Sequence, residues 1–207
     1  MKRALIFDLD NTIYPVSSIA DDLFSDLFIL MDTKATHLTD ADKEAAKDQI
    51  KRRPYHLVAE EFNFGEELTK TGNDMIRNFS YDGPIYPFED YHELRSVPLT
   101  KYLVTTGFTN LQWSKVKKMG LEKDFEEIHI VDPEKSILTK KDVFADIMKR
   151  HDYMPKDLLV IGDDPLSEIK AAIELEIETF LYDPEGRHRD AAVTYRSQKL
   201  ADVVNYL

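Results

Sequence analysis

The sequence predicts an α/β protein: a Rossmann-like parallel sheet with helices on both faces, plus an inserted all-helical block. Three observations predict it. Four short apolar runs, Ala4 to Phe7, Tyr102 to Val104, Ile128 to Val131 and Leu158 to Ile161, read as buried strands, each followed by turn or cap residues. From residue 100 onward these runs alternate with helical patterns, as parallel strands covered on both faces require. Between the first two runs lies a strand-free stretch of roughly 70 residues, longer than any ordinary connection.

The elements follow in order. After the strand Ala4 to Phe7, Ser17-Ser18 read as cap residues, and Ile19, Leu23, Leu27, Leu30 and Met31 form a helical stripe behind them. Thr39-Asp40-Ala41-Asp42 resembles a capping box opening a second helix, which must stop before Pro54. His56 to Phe62 and Glu66 to Phe79 read as two more helices, and the turn Asp82-Gly83-Pro84 closes the block. Helices are then expected over Asn110 to Met119, Lys141 to Arg150 and Leu166 to Leu175, with a fifth strand over Thr179 to Tyr182. Residues 1–15 and 85–207 are thus expected to form an α/β core domain and residues 16–84 a helical cap, a common role for such insertions.

Composition narrows the function. A chain of 207 residues with 43% hydrophobic and 11% aromatic residues can bury a well-packed core. Its net charge of −12 argues against nucleic acid or an anionic membrane as partner, so an anionic ligand needs a metal or a local basic cluster to approach. The absence of cysteine excludes disulfides, thiolate nucleophiles and Cys-ligated zinc. No signal peptide or membrane-spanning stretch is expected, and a cytoplasmic location is.

In open α/β sheets ligands bind at the carboxyl ends of the strands. The first run ends in Asp8-Leu9-Asp10-Asn11-Thr12, the second in Thr105-Thr106-Gly107, and the fourth in Gly162-Asp163-Asp164 with Glu168 one helical turn on. Two carboxylates side by side at the end of a buried strand are costly without a counter-charge. Carboxylate and hydroxyl oxygens with no imidazole nearby form a hard donor set that suits Mg²⁺ rather than zinc. A lone Asp-x-Asp is an ordinary solvated turn or helix cap; its partnership with two other strand ends makes it a site.

The segments FDLDNT, YLVTTG, EKSILTKK and VIGDDPLSE, in that order, resemble the four motifs of the haloacid dehalogenase-like (HAD) superfamily, and the resemblance spans residues 4 to about 182. DLDNTIYP followed by helices looks most like the pyrimidine 5′-nucleotidase-like group, and the helical block stands where capped members carry their cap. The resemblance implies a Mg²⁺-dependent phosphatase of small soluble phosphomonoesters such as nucleotides or sugar phosphates. It makes Asp8 the nucleophile that becomes an aspartyl-phosphate, and Asp10 the acid and base, with a pKa raised by its anionic neighbours. Asp8, the backbone carbonyl of Asp10, and Asp163 would hold the metal, with the roles of Asp164 and Glu168 open. Thr105, Thr106 and a lysine would bind the phosphoryl oxygens.

Lys135, Lys140 and Lys141 compete for that last role. Thr139 as a helix cap would leave Lys140 in the first turn, and its spacing to Phe144 matches relatives that read Ser-Lys-x-x-Ile-Phe, so Lys140 is the expected residue. Two departures stand out: Glu168 replaces the usual Asp, and Glu176 occupies a common Gly position. Asp10 argues against dehalogenation, which has no leaving alkoxide to protonate. The alternatives are a phosphomutase or phosphotransferase on the same fold and a non-catalytic binding protein. The expected partner is a small phosphorylated metabolite, and the expected assembly a monomer or weak homodimer.

Overall fold

The apolar runs become strands because each can bury both of its faces at once. In the computed structural model, which describes residues 1–207, six strands form one parallel sheet: β1 (Ala4–Phe7), β2 (Thr100–Thr106), β3 (Glu127–Val131), β4 (Leu158–Gly162), β5 (Glu178–Tyr182) and β6 (Tyr195–Ser197). Their order is β3-β2-β1-β4-β5-β6, so β1 lies between β2 and β4, with Ala4 paired to Thr100 on one side and to Leu158 on the other.

Side chains alternate across the sheet and feed two cores. Leu5, Phe7, Leu103, Leu159, Ile161 and Phe180 pack on one face, against Leu111 and Val116 of α7 (Thr109–Lys118) and against the helical block. Ala4, Ile6, Tyr102, Val104, Leu158 and Val160 pack on the other, against α8 (Lys140–Arg150) and α9 (Glu168–Ile173). This parity decides which helix each site residue meets.

Between β1 and β2 run α1 (Ala20–Leu23), α2 (Ser25–Lys34), α3 (Asp40–Ile50), α4 (Tyr55–Glu61), α5 (Glu66–Arg77) and the short α6 (Tyr91–Arg95). The first expected helix is in fact a 3-10 turn over Val16–Ser18 followed by two helices broken at Phe24. Ser17 and Ser18 do not cap it; the Ser18 hydroxyl instead donates to the Pro15 carbonyl at 2.7 Å. Ile19, Leu23, Leu27 and Met31 of the predicted stripe are buried all the same. Thr39 does cap α3, accepting from the Asp42 N–H, and α3 ends ahead of Pro54.

Helix α9 is shorter than the periodicity predicts. Asp164 Oδ1 accepts from the Leu166 N–H at 2.8 Å, and Ser167 sits at φ −109°, ψ −105°, so helical geometry starts only at Glu168. Its end explains the unusual Glu176. That residue adopts φ +60°, with Ile177 N–H bonded to the Ala172 carbonyl and Glu176 N–H to the Ile173 carbonyl, both at 3.0 Å. This is the Schellman arrangement in which glycine is usual. Helix α6, strand β6 and a 3-10 turn over Leu200–Tyr206 escaped the sequence reading, since such short pieces show no period. No helix is long and apolar enough to cross a membrane.

Candidate active site

The chain leaves β1 toward β2 on one side and returns to β4 on the other, so the loops after β1 and β4 part and open a crevice at the carboxyl edge. The Asp8 N–H donates to the Ile161 carbonyl at 2.9 Å, which extends the ladder one residue past Phe7. Asp8 therefore follows the parity of Ile6 and faces α8 and α9. Asn11 then turns the chain at φ +57°, a conformation asparagine tolerates, while its Oδ1 accepts from the Val16 N–H at 3.1 Å. Thr12 is fully buried and donates to Asp163 Oδ1 at 3.3 Å, tying the first strand end to the fourth.

On the α8–α9 side, Lys140 Nζ lies 2.6 Å from Asp8 Oδ1 and 2.7 Å from Glu168 Oε2. All three side chains are almost fully buried. The capping box Thr139–Asp142 starts α8 where the sequence predicts, leaving Lys140 in its first turn. Glu168 Oε1 also accepts from the Asp164 N–H at 2.8 Å. Gly162 permits this: a Cβ there would overlap the Glu168 side chain. Lys135 and Lys141 lie elsewhere, Lys135 with Asp132 at 3.6 Å and Lys141 with Glu174 at 2.9 Å, both exposed.

Electrostatically this side is short of positive charge. Burial pushes the Asp8 carboxyl up to about 7; Lys140 opposes the rise, and the charges of Glu168 and Asp10 add to it. Burial also raises Asp163 well above the ordinary value, helped by Glu168, Asp8 and Asp164. Lys140 loses to burial but gains more from Asp8 and Glu168, which hold it above its usual range. Oxygen atoms of Asp8, Asp163 and Glu168 lie within 4.8 Å of one another. Several buried carboxylates facing one ammonium form a hard, anionic donor set, and a divalent cation such as Mg²⁺ fits it. Glu168, whose role was open on the sequence, thus belongs to the carboxylate cluster together with Asp8 and Asp163.

Asp10 points the other way. Lys115 Nζ of α7 lies 2.7 Å from Asp10 Oδ1, Gln112 Nε2 lies 2.8 Å from Oδ2, and the Tyr14 hydroxyl donates to Oδ1. The expectation of a raised Asp10 pKa is therefore corrected. Burial does favour the neutral acid, but the Lys115 charge and the hydrogen bonds from Lys115, Tyr14 and Gln112 outweigh it and hold Asp10 below the ordinary carboxylate value. The deciding charge, Lys115, comes from 105 residues along the chain.

Thr105 is buried on the α7 face, its Oγ1 accepting from Gln112 Nε2 at 2.6 Å. Thr106, of opposite parity, ends β2 half-buried, and its carbonyl lies 3.4 Å from Gln112 Nε2. The sequence reading missed Tyr14, Gln112 and Lys115. A signal was present: Gln112 and Lys115 share the face of α7 that also carries Leu111 and Val116, a polar pair inside an apolar stripe. The partner of that pair is not visible along the chain.

No family model matches the chain. The chain is 24% identical over 231 aligned positions to the glyceraldehyde 3-phosphate phosphatase of Methanopyrus kandleri, covering 100% of this chain and 99% of that one. Among solved structures it is similar to a haloacid dehalogenase-like family hydrolase of Streptococcus pneumoniae (TM-score 0.71, 18% identity, 99% and 98% of the two chains). It is also similar to the magnesium-bound HAD-hydrolase YfnB of Bacillus subtilis (TM-score 0.69, 19% identity, 100% and 98%). The L-2-haloacid dehalogenase of Xanthobacter autotrophicus matches at TM-score 0.63 and 14% identity, over 99% and 98%. The likeness to these structures runs over nearly the whole of each chain, and the six-stranded parallel sheet thus has the fold of the haloacid dehalogenase-like hydrolases.

Proposed function

We propose that the protein is a phosphatase of small phosphomonoesters, with Asp8 as nucleophile and Asp10 as acid and base. One observation carries the reading: the two carboxylates at the end of β1 have separate lysines from opposite faces of the sheet, Lys140 for Asp8 and Lys115 for Asp10. A site so divided supports two different tasks. The name of the Methanopyrus relative, a phosphatase of a triose phosphate, points to the same chemistry.

A phosphomonoester resists attack because its oxygens are anionic, so charge neutralisation and in-line placement carry most of the catalysis. Mg²⁺ bound by Asp8, Asp163 and Glu168, with the Asp10 carbonyl as a further ligand, would neutralise phosphoryl charge. An Asp8 oxygen forms a bond to phosphorus as the bond to the leaving oxygen breaks, and Asp10 gives that oxygen a proton. The substrate brings negative charge beside Asp10, which raises its hold on a proton above that in the free site. Water then attacks the aspartyl-phosphate, passes its proton to Asp10, and releases inorganic phosphate and free Asp8. Lys140 and the hydroxyls of Thr105 and Thr106 would bind the phosphoryl oxygens, and the helical block 16–84 would cover the crevice and read the leaving group.

The dehalogenase-like neighbours raise a second reading, in which a haloacid carbon is attacked instead. A departing halide needs no proton, so three donors orienting Asp10 would be idle in that reaction. Transfer of the phosphoryl group to an alcohol instead of water uses the same residues and appears as a transfer product. The test is a panel of phosphorylated metabolites with Mg²⁺, including triose and sugar phosphates and nucleoside monophosphates, since DLDNTIYP resembles the pyrimidine 5′-nucleotidase-like group. Phosphate release that vanishes in Asp8→Asn is expected. Release of halide from a 2-haloacid, with none of phosphate from any ester, would overturn the reading.

A further inference from the structure

We propose that Gln112 is a positioning residue of this site, its single amide group both fixing the carboxylate plane of Asp10 and making the Thr105 hydroxyl a donor. The assignment rests on the phosphatase reading above. Gln112 is 1% exposed and sits in the first half of α7. Its Nε2 carries two hydrogens and has two close acceptors, Asp10 Oδ2 at 2.8 Å and Thr105 Oγ1 at 2.6 Å. Its Oε1 accepts from Lys115 Nζ at 2.8 Å. Only one orientation of the amide satisfies all three contacts. A flipped amide would set its oxygen against the Asp10 carboxylate and its NH₂ against the Lys115 ammonium.

Two consequences follow for the reacting groups. Asp10 accepts on both oxygens, from Lys115 and Tyr14 on Oδ1 and from Gln112 on Oδ2, so its plane is held at both ends. Thr105 receives a hydrogen from Gln112, so its own hydroxyl hydrogen is left for another acceptor, and an incoming phosphoryl oxygen is one.

The surroundings keep Gln112 in place. Asp132, at the end of β3, accepts from the Thr109 N–H at 3.0 Å and from its hydroxyl at 2.6 Å, which anchors the first turn of α7 to the sheet edge. A Cβ on Gly107 would come within 3.1 Å of Gln112 Cγ and Cδ, so the glycine after the threonine pair leaves the room the amide occupies. Lys115, one turn on and on the same helix face, closes the network.

The test compares two substrates in the full-length protein, an aryl phosphate whose leaving group needs little protonation and an alkyl phosphate whose leaving group needs much. Gln112→Met is expected to lower kcat/KM for the alkyl ester at least about tenfold more than for the aryl ester, a share of the 10²–10⁴-fold that a general acid contributes. The same substitution in an Asp10→Asn background is expected to leave the ratio unchanged. A merely structural residue would slow both esters alike. Gln112→Glu keeps the shape and the Lys115 contact but replaces the two hydrogens with an oxygen, and it carries the test if the Met variant does not fold. Equal losses on both esters would overturn this assignment alone. A wild-type protein inert toward both esters would overturn the phosphatase reading, and the assignment with it.

Discussion

Lys140→Met isolates the charge balance of the site. The ammonium lies 2.6 Å from Asp8 and 2.7 Å from Glu168, and all three groups are shielded from water. Methionine keeps most of the volume and removes the charge, leaving two carboxylates facing each other beside Asp163. Removing one partner of a buried ion pair costs about 3–5 kcal/mol. The loss depends on pH, and its sign follows from Asp8. Its folded value of about 7 lies above the ordinary 3.8, so the folded state binds this proton more tightly than the unfolded chain. The stability it contributes is present at low pH and is lost as pH rises through about 7. Without Lys140 the carboxyls move higher still and take up protons in its place. Urea denaturation of the metal-free protein should therefore show the full loss at pH 8 and a smaller one at pH 5.5. With Mg²⁺ and an aryl phosphate, the variant should also lose about 10²–10³-fold in kcat/KM, the range for removing one donor to a developing anion. Lys135→Ala and Lys141→Ala, whose side chains are exposed, should stay near wild type. Equal destabilisation at both pH values would refute the charge reasoning, and an inactive Lys135 or Lys141 variant would refute the choice of lysine.

Three further outcomes are expected. Asp10→Asn should cut turnover about 10²–10⁴-fold while leaving Mg²⁺ binding, read by titration calorimetry, within a few-fold of wild type, because the side chain faces Lys115 and Gln112 rather than the carboxylate cluster. Mg²⁺ should raise the melting temperature, since saturation at about 100 Kd adds about 2.7 kcal/mol; the rise should be larger at pH 8 than at pH 5.5, where protons compete for Asp8 and Asp163. Glu176→Gly should stabilise the protein by about 0.5–1 kcal/mol in urea melts, as relief of the φ +60° strain exceeds the extra entropy of an unfolded glycine; a loss of stability would mean that the Glu176 side chain carries a contact that outweighs the strain.

What the sequence determined by itself is what short-range rules control. Strands β1 and β4 stand out because a strand buried on both faces must be apolar throughout, and the carboxylates that end them are conspicuous for the same reason. The start of α8 at Thr139 was readable because a capping box is complete within four residues, and with it came the place of Lys140 in the first turn. The break at Phe24 and the late start of α9 were not, because each turns on a local hydrogen bond or backbone angle that competes with an intact helical period. Only the tertiary structure decided the electrostatics. Asp8 and Asp10 are two residues apart, yet one meets Lys140 from α8 and the other Lys115 from α7. That division follows from ladder parity at the end of β1 and from the face of the sheet on which each helix packs. Partners 132 and 105 residues away leave no mark on the local pattern, and in a dry site the sign of a carboxyl's pKa shift depends on which of them arrives.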